Sequence, residues 1–102
     1  MINNSYKEFF RAFSNKTRFE IIKLLREREK SVLEITDTLG FEQSRVSHNL
    51  KCLVDCGFVT SRPNGKKRIY SINQDVIVPM LTLIDKHIEK YENHLKKCRV
   101  LK

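Results

Sequence analysis

A chain of 102 residues with 20 Lys+Arg against 12 Asp+Glu carries a formal charge of +8, and 40% of it is hydrophobic. That length supports one domain, residues 1–102, and the apolar content excludes general disorder. The positive balance favours nucleic acid or an anionic membrane as partner. Residues 1–5 lack the apolar core of a signal peptide, and the longest apolar stretch, residues 76–84, is far shorter than a membrane span and contains Pro79. A cytoplasmic protein with no membrane partner is therefore expected. In that reducing setting three cysteines point to metal or redox chemistry and not to a disulfide framework.

In chain order, Phe9, Phe10 and Phe13 share one face of an opening helix near residues 4–13. Phe19, Ile21, Ile22, Leu24 and Leu25 repeat at helical spacing through residues 16–29. Ser31 followed by Glu34 forms a capping box, which starts a short helix carrying Val32, Ile35 and Leu39 inward and ending at Gly40. A second helix runs from Gln43 to Cys56, with Val46, Leu50, Leu53 and Val54 as its apolar stripe and Gly57 as its stop. Two helices joined by a tight glycine turn make a helix-turn-helix. Residues 58–62 and 67–72 then read as strands around a Pro63-Asn64-Gly65 turn. Asp75 is expected to cap a last helix reaching about Cys98, in which Ile77, Leu81, Ile84, Ile88, Tyr91 and Leu95 form one continuous stripe. The order predicts a mainly α winged helix-turn-helix (α-α-α-α-β-β-α) with a small β-hairpin. The last stripe is longer than a core of this size needs to cover, so it is expected to make a homodimer interface.

On a 3.6-residue wheel, the second helix of the pair turns Val46, Leu50 and Leu53 to the core and Ser44, Ser47, His48 and Lys51 to the opposite side. A recognition helix needs that division, because the buried side seats it while short polar groups reach base edges and phosphates. Gln43 and Arg45 join this candidate DNA-binding set. The hairpin adds Arg62, Asn64, Lys66, Lys67 and Arg68, a cationic wing suited to the phosphates of double-stranded operator DNA. Residues 41–70 hold six basic residues against two acidic ones, while residues 1–40 hold eight against six. The excess lies where DNA contact is expected. No nucleophile–base pair, phosphate loop or zinc-hydrolase motif suggests an enzyme.

Cys52 and Cys56 stand four apart on the recognition helix, with Cβ atoms about 5–6 Å apart. Sulfurs so placed can bite one soft metal ion. The wheel turns Cys52 well away from the apolar stripe and leaves Cys56 nearer its edge. The same spacing disfavours a Cys52–Cys56 disulfide, whose Cβ atoms should lie roughly 3.5–4.5 Å apart.

Phe13-Ser-Asn-Lys-Thr-Arg-Phe-Glu-Ile-Ile22, Gln43-Ser-Arg-Val-Ser-His-Asn-Leu-Lys51 and the Gly57-Phe-Val entry to the wing resemble the ArsR/SmtB family of metal-responsive repressors. The resemblance implies a homodimeric winged helix that leaves its operator when a toxic metal or metalloid binds. The Cys-x-Cys that this family often carries in the first helix of the pair is absent, since that helix reads Val32-Leu-Glu-Ile-Thr-Asp-Thr-Leu39. A zinc-type pattern beginning Asp85-Lys-His87 is broken, because its other ligands would fall on Cys98 and Leu101; His94 is the substitute on the same flank. Cys52-Leu-Val-Asp-Cys56-Gly57 together with Cys98 is similar to the CmtR-type, cadmium- and lead-sensing branch. That likeness implies a site of three thiolates, two from the recognition helix and Cys98 from a C-terminal segment. Three thiolates suit Cd(II), Pb(II) or As(III), leave Zn(II) open and exclude Mg or Ca. The rival readings are a redox-sensing repressor using the same cysteines, and a winged helix that binds only protein.

Overall fold

The computed structural model describes residues 4–98. Helix α1 (Asn4–Ser14) leads through Asn15 into α2 (Lys16–Glu27), and the Asn15 side chain caps α2 by accepting from the Arg18 N–H. Ile21, Ile22, Leu24 and Leu25 bury the inner face of α2, as their spacing predicts. Helix α3 (Val32–Leu39) begins with both halves of the capping box: Ser31 Oγ accepts from the Glu34 N–H, and Glu34 Oε1 accepts from the Ser31 N–H. It ends at Gly40, whose φ of 72° is the left-handed conformation that lets its N–H turn back to the Thr36 carbonyl.

Helix α4 (Gln43–Asp55) follows, then β2 (Val59–Asn64), β3 (Lys67–Ile72) and α5 (Ile77–Lys97). The core is a single cluster. Ile21, Ile22 and Leu25 meet Ile35 of α3, Val46, Leu50 and Leu53 of α4, and Phe58, Val59 and Ile72 around the hairpin. Phe9 and Phe13 close it from α1, standing edge-on to Phe58 with ring centroids 5.0 and 5.7 Å away. Among the described residues no helix is long and apolar enough to cross a membrane.

Three local expectations need correction. The sheet has three strands in the order β1-β3-β2, because β1 (Lys30–Ser31) pairs antiparallel with Tyr70 and Ile69 of β3. Two residues carry no periodicity, so only the tertiary approach of β3 makes them a strand. The hairpin turn also lies one residue later than Pro63-Asn64-Gly65: Pro63 pairs with Arg68 and Asn64 with Lys67, leaving Gly65 and Lys66 at the bend. Gly65 has φ 66°, which puts a glycine first in a two-residue loop, and Pro63 is tolerated because β2 is an edge strand. Finally, Asp75 does not cap α5. Asn73 organises that entry, its Oδ1 accepting from the Asp75 and Val76 N–H groups while its Nδ2 donates to the Gly57 carbonyl.

Candidate nucleic-acid interface and cysteine pair

Helix α4 is seated by Val46, Leu50 and Leu53, all fully buried, and by one polar residue on the same side, Asn49. Asn49 Nδ2 donates to the Arg45 carbonyl at 2.8 Å, and its Oδ1 accepts from Arg18 Nη1 at 3.4 Å. Arg18 Nε in turn donates to the Ala12 carbonyl at 2.8 Å. One guanidinium thus ties α4 to α1 and α2. Asn49 was legible as a polar interruption of the apolar wheel face, whereas Arg18 had no such signal.

Gln43, Ser44, Ser47, His48 and Lys51 are exposed on the outer side of α4. Arg45 is exposed as well, but part of its guanidinium is engaged within the protein. Its Nε donates to Thr17 Oγ1 at 3.0 Å, Nη2 donates to the same oxygen, and the guanidinium stacks over Phe41 at 4.0 Å from the ring centroid. In this arrangement Arg45 joins α4 to α2 through two of its three guanidinium nitrogens.

The wing brings its cations to the same side. A groove of about 320 Å³ has Val32, Gln43, Lys66, Lys67 and Arg68 among its lining residues, so the first turns of α3 and α4 and the tip of the hairpin share one basic concavity. Arg68 Nη2 donates to Ser61 Oγ at 3.0 Å, which holds the side chain along the wing. Arg62 is different from its neighbours, because its guanidinium is paired with Glu29. A phosphate contact by Arg62 would have to compete with this exposed ion pair.

At the far end of α4, Cys52 is half-buried and Cys56 is exposed, the reverse of the order the wheel suggests. Cys56 is the C-cap residue, where α4 runs out of neighbours, while Cys52 still lies within the packed body of the helix. The two thiols lie near enough for the Cys52 sulfur to act on that of Cys56, so the pair fits two positions of a soft metal ion. Although Cys56 is exposed as a residue, partial desolvation first, and the Cys52 sulfur second, push its thiol pKa up, with Arg18 acting in the opposite sense. Cys98 is half-buried at the C-terminal end of α5. Among the described residues of a single chain, no three Cys, His, Asp or Glu side chains converge as metal ligands.

The zinc-type pattern of α5 is not assembled either. Asp85 Oδ2 accepts from Arg26 Nη2 at 2.5 Å, and that hydrogen bond holds the carboxyl below its ordinary range. His87 and His94 flank Tyr91 with centroids 4.7 and 6.1 Å from its ring. Leu101 lies outside the described residues. Of the expected interface stripe, Ile77 and Leu81 belong to the protomer's own core at 2% and 7% exposure. Ile84, Ile88, Tyr91 and Leu95 stand open at 37–39%.

Residues 15–61, which span α2 through the start of the wing, match the family model described as bacterial regulatory protein, arsR family. The chain is 36% identical over 76 residues to the arsenical resistance operon repressor of Staphylococcus xylosus, covering 72% of this chain and 73% of that one. It is 37% identical over 75 residues to the probable mercury resistance operon repressor of Streptomyces lividans, covering 74% of this chain and 60% of the relative. The chain thus spans about three-fifths of that second relative's length. The crystal structure of Rv0081 from Mycobacterium tuberculosis superposes with a TM-score of 0.79 at 32% identity, covering 87% of this chain and 90% of that one. The homodimeric winged helix-turn-helix domain Mb0332 from Mycobacterium bovis has the same TM-score at 24% identity, covering 89% and 84%, and shares the fold. With its winged helix, its polar reading face and these relatives, the chain belongs to the ArsR family of bacterial transcriptional regulators and is not an enzyme.

Proposed function

We propose that this protein is a metal-responsive repressor: a homodimer that binds double-stranded operator DNA and releases it when a soft ion engages the thiolates of Cys52, Cys56 and Cys98. The observation that carries the reading is the nearness of the Cys52 and Cys56 thiols, one turn apart at the C-terminal end of the recognition helix. A restraint on that pair acts directly on the element that presents Gln43, Ser44, Ser47, His48 and Lys51. Metal and operator then weaken each other's binding reciprocally. Cys98 completes the donor set from the partner protomer, since within one chain it stands apart from the pair. Cd(II), Pb(II) and As(III) suit such sulfur ligands, and Zn(II) is a weaker match. The relatives named for arsenical and mercury resistance support this class of effector.

Gel shifts with wild type and the Cys52→Ser, Cys56→Ser and Cys98→Ser variants test it. Cd(II) added to reduced wild type is expected to raise a sulfur-to-metal charge-transfer band and abolish the shift. Cys52→Ser and Cys56→Ser should lose both responses while keeping apo DNA binding. Because Cys56 must shed a proton that its surroundings hold more tightly than usual, Cd(II) affinity should fall as pH falls. Release that persists in all three variants would overturn the thiolate site. Release by peroxide, reversed by dithiothreitol and indifferent to Cd(II), would favour the redox reading.

A further inference from the structure

Leu33 is an apolar residue that neither the protein core nor the thiolate site uses. Helix α3 packs inward through Val32, Ile35 and Leu39, while Leu33 stands outside that cluster at 52% exposure. A single exposed leucine is ordinary on a protein surface. This one differs in its place, because it lines the basic groove together with Gln43, Lys66, Lys67 and Arg68. An alkyl side chain therefore shares one concavity with the first residue of the recognition helix and the cations of the wing. The capping box between Ser31 and Glu34 brackets Leu33 and fixes the turn of backbone that presents it. The neighbouring Glu34 carboxylate is engaged by that box and by Arg28.

Phosphates gain nothing from an alkyl group, but one base edge in the major groove does. Thymine carries a C5-methyl beside its O4 acceptor, and no other base has an apolar group there. We propose that Leu33 is a specificity-determining residue that reads thymine, packing on the C5-methyl of a base beside the pair that Gln43 reaches. Lys66, Lys67 and Arg68 hold the flanking phosphates and so press the groove onto that base. The inference rests on operator binding, the DNA half of the reading above, and is independent of the cysteines. Burying one methyl group is worth about fourfold in affinity.

The test uses the reduced, metal-free, full-length protein and an operator recovered with it from random duplex DNA. Each thymine of that operator is replaced singly by uracil, which pairs as thymine does and lacks only the methyl. Wild type should bind about fourfold more weakly when uracil stands at one particular position of a half-site. Leu33→Ala should show no penalty at that position, while keeping the melting behaviour of wild type because Leu33 lies outside the core. Leu33→Met, which keeps an apolar side chain of similar length, should retain most of the penalty. Equal uracil penalties in wild type and Leu33→Ala, or no penalty at any thymine, overturn the inference alone. A Leu33→Ala variant that weakens thymine and uracil duplexes alike puts the leucine on the sugar backbone and overturns it too. Failure to recover any preferred duplex, or Lys66→Ala and Lys67→Ala binding as wild type does, overturns the operator reading with it.

Discussion

Arg45 and His48 are both polar residues of the recognition helix, yet they do different work because of where their donors point. His48 is exposed on the outer side of α4 with Ser47, whereas Arg45 spends its guanidinium on Thr17 and the Phe41 ring. Replacing Ser47 or His48 with Ala is expected to cost about 1–3 kcal/mol of discrimination between operator and scrambled DNA if either makes a good base contact. Arg45→Ala should instead lower folding stability by about 0.5–1.5 kcal/mol and leave the ratio of specific to non-specific affinity nearly unchanged. Thermal melts beside paired binding titrations separate the two outcomes. Asp85 is a residue whose family-like motif promises a ligand and whose neighbour has already claimed it. Its pKa is lowered by Arg26 in the folded state, so the stability it lends is present above the ordinary aspartate value and is lost as pH falls through the lower, folded value. Asp85→Asn should therefore melt earlier than wild type at neutral pH, with the difference shrinking in acid. A constant difference down to acid pH would deny the pair that role.

At the level of elements, α4 depends on how it is held. Asn49 is buried at 8% exposure and joins the Arg45 carbonyl to Arg18, which also reaches the Ala12 carbonyl of α1. Asn49→Ala takes the Oδ1 acceptor from the half-buried Arg18 guanidinium and the second donor from the Arg45 carbonyl, at a cost of about 0.5–1.5 kcal/mol in chemical denaturation. A Leu substitution should be worse, since it fills the space without satisfying either group. The wing is the complementary element. Lys66, Lys67 and Arg68 line the basic groove, and each Ala substitution there should reduce the salt slope of operator binding by about 1 without changing sequence preference. Arg62→Ala should change the slope less, because Glu29 already offsets that charge. Equal slopes for all four variants would mean the ion pair opens on DNA.

On the scale of the whole molecule, α5 is too long for the body it leaves. Ile77 and Leu81 anchor it, but residues 82–97 are exposed along their full length. The radius of gyration is 14.9 Å, against about 13 Å for a compact domain of this size. Ile84 and Ile88 open onto a groove shared with Phe13 and Phe19, so the apolar surface continues across two other helices. A second copy of the chain is expected to cover it, by the default two-fold symmetry. Changing Ile84 and Ile88 together to Glu should give monomers in sedimentation with little effect on the melting of the protomer core, because neither residue is buried in it. The same change at Ile77 or Leu81 should unfold the protomer instead. A monomeric wild type at micromolar concentration would remove the dimer from the proposal.

The helices, the capping box, the Gly40 stop and the hairpin were legible in the sequence because each is written in local chemistry: a 3.6-residue apolar period, a Ser and Glu three apart, a glycine where φ must be positive, a turn between β-favouring runs. The outward set of Gln43, Ser44, Ser47, His48 and Lys51 followed from the same period, since seating one side of a helix exposes the other. What the sequence could not specify is how groups distant along the chain compete for a side chain. Arg45 and Arg62 read as free cations, yet Thr17 and Glu29 engage them, and nothing local to Asp85 announces its pairing with Arg26. The brief strand β1 exists only because β3 supplies its hydrogen bonds. Cys52 and Cys56 were placed on one helix by their spacing alone, yet which of them is covered was decided by where α4 ends in the packed chain. Periodicity fixes which face a residue shares; only the packed chain determines who stands opposite it.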